Sequence, residues 1–158
     1  MDFQRAITVL CDARVQFVVV GGVAATLHGS ASVTYDLDIC YSRERSNLTR
    51  LASALAPFRP SPRGLPSGLP FVWDEVTLSN ATILTLQTTL GEIDLLAEIA
   101  GLGDYAEVKT RSIAVQAFGR QLFVLDLPNL IKAKRAAGRA KDLAALPELE
   151  GLDEAQRE

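Results

Sequence analysis

The sequence predicts one α/β domain, with helices packed on a sheet, and three observations predict it. Phe17 to Val20 is a short apolar, β-branched run, the mark of a strand buried on both faces. Gly21-Gly22 ends that run, and a short helical stretch from Val23 to His28 follows. Later, Thr82 to Thr88 and Glu92 to Ile99 lie either side of Leu90-Gly91 and read as an antiparallel pair.

A chain of 158 residues suits one domain with a real core, and 48 % apolar against 22 % charged residues is ordinary for a globular protein. We read 1–150 as that domain and 151–158 as a frayed acidic tail. A net charge of −3 gives no global pull toward nucleic acid, so any such contact must be a local patch. The charged start, Met1-Asp2-Phe3-Gln4-Arg5, is not followed by the apolar region of a signal peptide. No run approaches the roughly 18–20 apolar residues that span a bilayer. Cys11 and Cys40 lack metal-type spacing and read as small buried hydrophobes in a reducing cytoplasm.

In chain order, Asp2 caps a helix over Phe3 to Ala13, whose Phe3, Ala6, Ile7, Leu10 and Cys11 recur at helical spacing. The strand at Gln16 to Val20, the glycine turn and its helix come next. Gly29 to Val33 is a loop of small residues, Asp36 to Tyr41 a second strand, and Ser46 to Ala56 a third helix. The stretch 57–70 carries Pro57, Pro60, Pro62, Pro66 and Pro70 with Gly64 and Gly68, which excludes a helix or a central strand. It reads as a surface loop, with a flap over the site as the sharper alternative. From Phe71 onward the pattern reads as strands: a weak one over Phe71 to Leu78, the antiparallel pair, and a hairpin of Ile113 to Ala117 with Gln121 to Leu125. Asp126 then caps a helix beginning at Leu127-Pro128, and Pro147 ends the regular structure. On its wheel Leu130, Ala133, Ala137, Ala140 and Ala144 form one stripe. Lys134 and Lys141 border it; Lys132, Arg135 and Arg139 lie opposite.

Chemistry concentrates in Val18 to Ile39. Glycines at a strand-to-helix turn allow close backbone approach to a phosphate. In Asp36-Leu37-Asp38-Ile39, alternation puts Asp36 and Asp38 on one face, roughly 6–7 Å apart, and sends Leu37 and Ile39 to the core. Two carboxylates beside a phosphate-binding turn are what magnesium-dependent phosphoryl or nucleotidyl transfer requires. Asp94 lies within the otherwise apolar strand EIDLLAEI, so it needs a cation or donor as partner. His28, the one histidine, reads as a packing or backbone-bonding residue, because magnesium prefers oxygen.

Gly21-Gly22, Leu27-His28-Gly29 and Thr34-x-Asp36-x-Asp38 resemble the nucleotidyltransferase superfamily, the polymerase-β-like fold. The wording is closer to the branch holding minimal nucleotidyltransferases and the abortive-infection-type nucleotidyltransferase toxins of bacteria. The resemblance resumes from Leu130-Ile131 through Lys134 to Arg139 and Lys141-Asp142. It implies an α+β fold with a mixed, mostly antiparallel sheet and helices packed on it. It also implies that Asp36 and Asp38 hold Mg²⁺ or Mn²⁺ on the triphosphate of an NTP. Asp94 matches the third carboxylate, which completes a second metal site or deprotonates the acceptor hydroxyl. Gly21 and Gly22 would cradle phosphates, Thr34 orient the loop, and Lys134 neutralise phosphate; Arg139 and Lys141 are candidate acceptor contacts, and Asp142 an ion-pair partner within their helix. By the same resemblance the acceptor is an RNA end, such as a tRNA, or a protein tyrosine, and an antitoxin is a candidate partner. Ser32 stands where the family often has an arginine. That departure supports an alternative, a degenerate member that binds nucleotide or a partner without turnover. An antibiotic nucleotidyltransferase is a further alternative, disfavoured by the lack of an obvious extra domain.

Overall fold

A computed structural model describes residues 2–66 and 68–158. Met1 and Ser67, which fall in the stretches read as the chain start and the proline-rich loop, lie outside them. The elements in order are α1 (Phe3–Asp12), β1 (Phe17–Val20), α2 (Gly21–Leu27), β2 (Asp36–Tyr41), α3 (Arg45–Leu55), β3 (Ser61–Pro62), α4 (Glu75–Asn80), β4 (Ile83–Thr88), β5 (Gly91–Leu96), β6 (Glu98–Ile99), β7 (Gly103–Asp104), α5 (Tyr105–Thr110), β8 (Ser112–Ala117), β9 (Arg120–Leu125), α6 (Leu127–Ala137) and α7 (Ala140–Arg157).

A seven-stranded sheet in the order β3-β4-β5-β2-β1-β9-β8 forms the frame. Its pairs are antiparallel except β1 with β9 and β2 with β5. The whole of β1 is buried, as an unbroken β-branched run in a central strand must be. Alternation in β2 and β5 sends Leu37, Ile39, Ile93 and Leu95 into the core with no exposure. The opposite face carries Asp36 and Asp38 on β2 and Glu92 and Asp94 on β5. The parallel register sets Asp36 beside Glu92 and Asp38 beside Asp94. Buried Asn47 fastens the end of this frame, accepting from the Gln16 amide and donating to the Gln16 and Ser42 carbonyls.

Several elements differ from the sequence reading. The stretch over Phe71 to Leu78 is no strand. Val72, Val76 and Thr77 imitate one, but the Asp74 carboxylate accepts from the Thr77 amide at 2.8 Å and starts α4, which buries Leu78. Capping chemistry outweighs β-propensity in so short a segment. The segment after Gly101 holds β7 and then α5, capped by Asp104, both absent from the sequence reading. The helix from Leu127 is two helices, because Gly138 takes a left-handed conformation at φ 65° and closes α6. Regular structure does not end at Pro147, and 151–157 is not frayed: α7 continues to Arg157 and buries Leu149. Proline inside a helix costs about 3 kcal/mol, and tertiary packing of Leu149 and Leu152 against the body offsets it. The stretch 57–70 is bound to the sheet rather than spread over the site. The Thr89 amide donates to the Phe58 carbonyl, β3 pairs with β4 as an edge strand, and the Arg63 amide donates to the Thr85 carbonyl. No helix among the described residues is long and apolar enough to cross a membrane.

Candidate active site

A cleft of about 680 Å³ opens between the acidic face of β2 and β5 and the helices α6 and α7. Its floor holds Gly21, Gly22, Thr34, Asp36, Asp38 and Asp94; Lys134 of α6, Arg139 in the turn between α6 and α7, and Lys141 of α7 line the other side. The proline-rich stretch supplies no lining residue among those described.

Asp36, Asp38 and Asp94 converge: each offers a carboxylate oxygen, and these oxygens lie within 4.8 Å of one another. The parallel β2–β5 register creates this, because it sets the third carboxylate beside the second on the same face. Burial first, then the charges of Asp36 and Asp94, push the Asp38 carboxyl up to about 8. Asp38 Oδ1 is buried without a hydrogen-bond partner. Burial also pushes Asp94 up, against the pull of Arg63. Closely set oxygen donors with one buried oxygen left over fit a hard divalent cation.

The glycines are explained by close approach. Gly21 has φ +65°, and a Cβ there would stand 2.1 Å from Asp38 Oδ2. A Cβ on Gly22 would stand 2.5 Å from Thr34 Oγ1, which itself donates to the Asp36 carbonyl at 3.2 Å. Thr34 therefore braces the turn against the strand. His28 Nε2–H donates to the Leu125 carbonyl at 2.8 Å, the backbone role expected of it.

The basic wall is held by Asp142, which is 1 % exposed. Lys134 Nζ donates to it at 3.3 Å, and Arg139 Nε at 2.6 Å. Asp142 thus joins α6 to the start of α7, rather than pairing within one helix, and it also accepts from the Arg139 amide. Burial raises its carboxyl, but Arg139 and Lys134 outweigh that and leave it below the usual carboxylate range. Lys134 and Lys141 reach the cleft, while Lys132 is exposed outside it and Arg135 pairs with Glu150.

Two further features escaped sequence reasoning. Arg63, at the end of β3, donates to Asp94 Oδ1 at 2.6 Å and is the partner that a carboxylate in that strand requires. The need was readable at Asp94; the supplier, 31 residues away on the sheet edge, was not. Glu148 accepts from Ser30 Oγ, the Ala31 amide and Ser32 Oγ, and these bonds hold its carboxyl low. Ser32 is thereby spent on an anion, with no cation in its place.

The mixed, mostly antiparallel sheet flanked by helices is the fold of a solved nucleotidyltransferase-like structure. The chain is similar to the crystal structure of a candidate nucleotidyltransferase from Thermotoga maritima, with a TM-score of 0.56 and 17 % identity over 96 % of each chain. No family model and no curated protein sequence matches the chain.

Proposed function

We propose that this protein is a metal-dependent nucleotidyltransferase that moves a nucleoside monophosphate from an NTP to a hydroxyl group. The observation that carries the reading is the meeting of Asp36, Asp38 and Asp94 in a cleft between the Gly21-Gly22 turn and the cations of α6 and α7. Asp36, Asp38 and Asp94 would hold Mg²⁺ or Mn²⁺. When bound, the cation neutralises phosphate charge and favours the attacking alkoxide. The backbone at Gly21 and Gly22, free of side chains, admits the phosphates. Lys134, fixed by Asp142, balances triphosphate charge from the far wall. The hydroxyl oxygen bonds to the α-phosphorus, the bond to pyrophosphate breaks, and the hydroxyl proton passes to a carboxylate of the cluster or to water.

From the resemblance of its motifs, we assign the acceptor to an RNA end, such as a tRNA, or a protein tyrosine, with Arg139 and Lys141 at the cleft rim as its contacts. The same resemblance suggests a bacterial, cytoplasmic protein that acts as the toxin or modifying half of a toxin–antitoxin pair. Incubation with each NTP, Mg²⁺ and total RNA or protein, followed by pyrophosphate measurement, tests this. Release that Asp38→Asn abolishes supports transfer. The second reading, a nucleotide-binding protein without turnover, draws on Ser32 and its Glu148 anchor. Mg²⁺-dependent NTP binding without pyrophosphate release would favour it.

A further inference from the structure

The transfer chemistry leaves Arg63 without a role, yet the chain goes to some length to place it. Pro62 fixes its own φ, and the next amide, that of Arg63, donates to the Thr85 carbonyl at 2.8 Å. Thr85 is the residue that faces Asp94 across the β4–β5 ladder. Arg63 is therefore anchored one strand from the third carboxylate. Its Nη2 reaches Asp94 Oδ1 at 2.6 Å and the Leu86 carbonyl at 3.3 Å. Its Nε lies 3.6 Å from Glu92 Oε2 and is buried without a hydrogen bond. The two hydrogen bonds of Nη2 and the charges of Asp94 and Glu92 together hold the guanidinium here. Among the described residues, neither Asp36 nor Asp38 is in an ion pair.

We propose that Arg63 is a built-in competitor for the cation site, lowering the affinity of the carboxylate cluster for a free divalent ion. This rests on the reading that Asp36, Asp38 and Asp94 hold such an ion. An entering ion finds Asp94 already paired and a guanidinium beside it, and its double charge doubles that repulsion. A triphosphate arriving with the ion adds negative charge, which offsets the guanidinium. The cluster accordingly fills with metal and nucleotide together rather than with metal alone. A guanidinium that merely positioned Asp94 would have the opposite sign, because removing a positioning partner weakens metal binding.

Mn²⁺ binding to the nucleotide-free full chain, followed by the electron paramagnetic resonance of free Mn²⁺, separates these roles. Arg63→Met and Arg63→Gln are both used, with circular dichroism to show which is folded. The neutral variants should bind Mn²⁺ about tenfold more tightly than the parent, and Arg63→Lys within about threefold of it. Adding a non-hydrolysable NTP analogue should narrow the gap. Mn²⁺ affinity equal to or below the parent's in the folded neutral variants overturns the proposal, as does an absence of Mn²⁺ binding in every variant. Tighter binding without pyrophosphate release from any NTP would keep the role of Arg63 and remove the transfer reading. Pyrophosphate release with unchanged Mn²⁺ affinity would do the reverse.

Discussion

Asp38→Asn should firm the metal-free protein while abolishing metal-dependent turnover. The carboxylate oxygens of Asp36, Asp38 and Asp94 lie within 4.8 Å of one another. Above about pH 8, where the Asp38 carboxyl is ionised, two unit charges at that separation repel by about 0.9 kcal/mol in water and about 3.5 kcal/mol at an effective dielectric of 20; below that pH Asp38 escapes the repulsion only by holding a proton, which also costs stability. Arg63 offsets part of this at Asp94, but no cation pairs with Asp38 among the described residues. Asp38 Oδ1 has no hydrogen bond to lose, and an amide of the same size there can donate to a neighbouring carboxylate. A net gain of about 1–2 kcal/mol follows, which for a chain of this length is a rise in melting temperature of about 2–8 °C. The assay is thermal unfolding by circular dichroism in EDTA, for Asp38→Asn and Asp36→Asn, repeated with Mg²⁺. Mg²⁺ should raise the parent's melting temperature and leave that of Asp38→Asn unchanged. A fall of several degrees in both variants without metal would refute the reasoning and make the pair structural.

Three other outcomes are expected. Lys134→Ala should weaken NTP binding by about tenfold, through loss of a cation facing the phosphates, while Lys132→Ala, outside the cleft, leaves it unchanged; calorimetry with a non-hydrolysable NTP analogue decides between them. Gly21→Ala should cost about 2 kcal/mol or more in urea unfolding, because its φ is +65° and the new Cβ meets Asp38 Oδ2 at 2.1 Å; an unchanged midpoint would show that the turn relaxes freely. The Asp142 carboxyl is lower when folded than unfolded, so its stabilisation is complete above the unfolded value near pH 4 and is lost as pH falls through the folded one. Asp142→Asn should therefore flatten the acid limb of urea midpoint against pH, and an unaltered limb would show that the pairing contributes nothing.

What could be read from the sequence follows a physical rule. Alternation and periodicity report which face of an element is apolar, so Asp36 and Asp38 could be placed together, opposite Leu37 and Ile39, from four adjacent letters. The same logic put Asp94 on the face opposite Ile93 and Leu95. Elements held by local capping or by distant packing were less legible. The α4 segment looks like a strand because its β-branched residues speak louder than the Asp74 cap. Pro147 looks like a stop because its cost is local, whereas the burial that outweighs it comes from parts of the chain far away.

The charge pattern of the site makes the same point at the level of partners. A strand face can be inferred from its own residues, but the ion across from it depends on register, and register is set by the sheet as a whole. Arg63 reaches Asp94 because β3 pairs with β4 in the register that sets Ser61 against Gln87 and Pro62 against Leu86. A slip of one residue along that edge would turn the guanidinium to the other face. Asp142 reaches Lys134 because Gly138 lets the chain bend between α6 and α7; a continuous helix would carry these two positions eight residues apart, about 12 Å along the axis. The glycine that breaks the helix is thus what gathers the basic wall opposite the carboxylates, and the proline-rich strand is what supplies their cation.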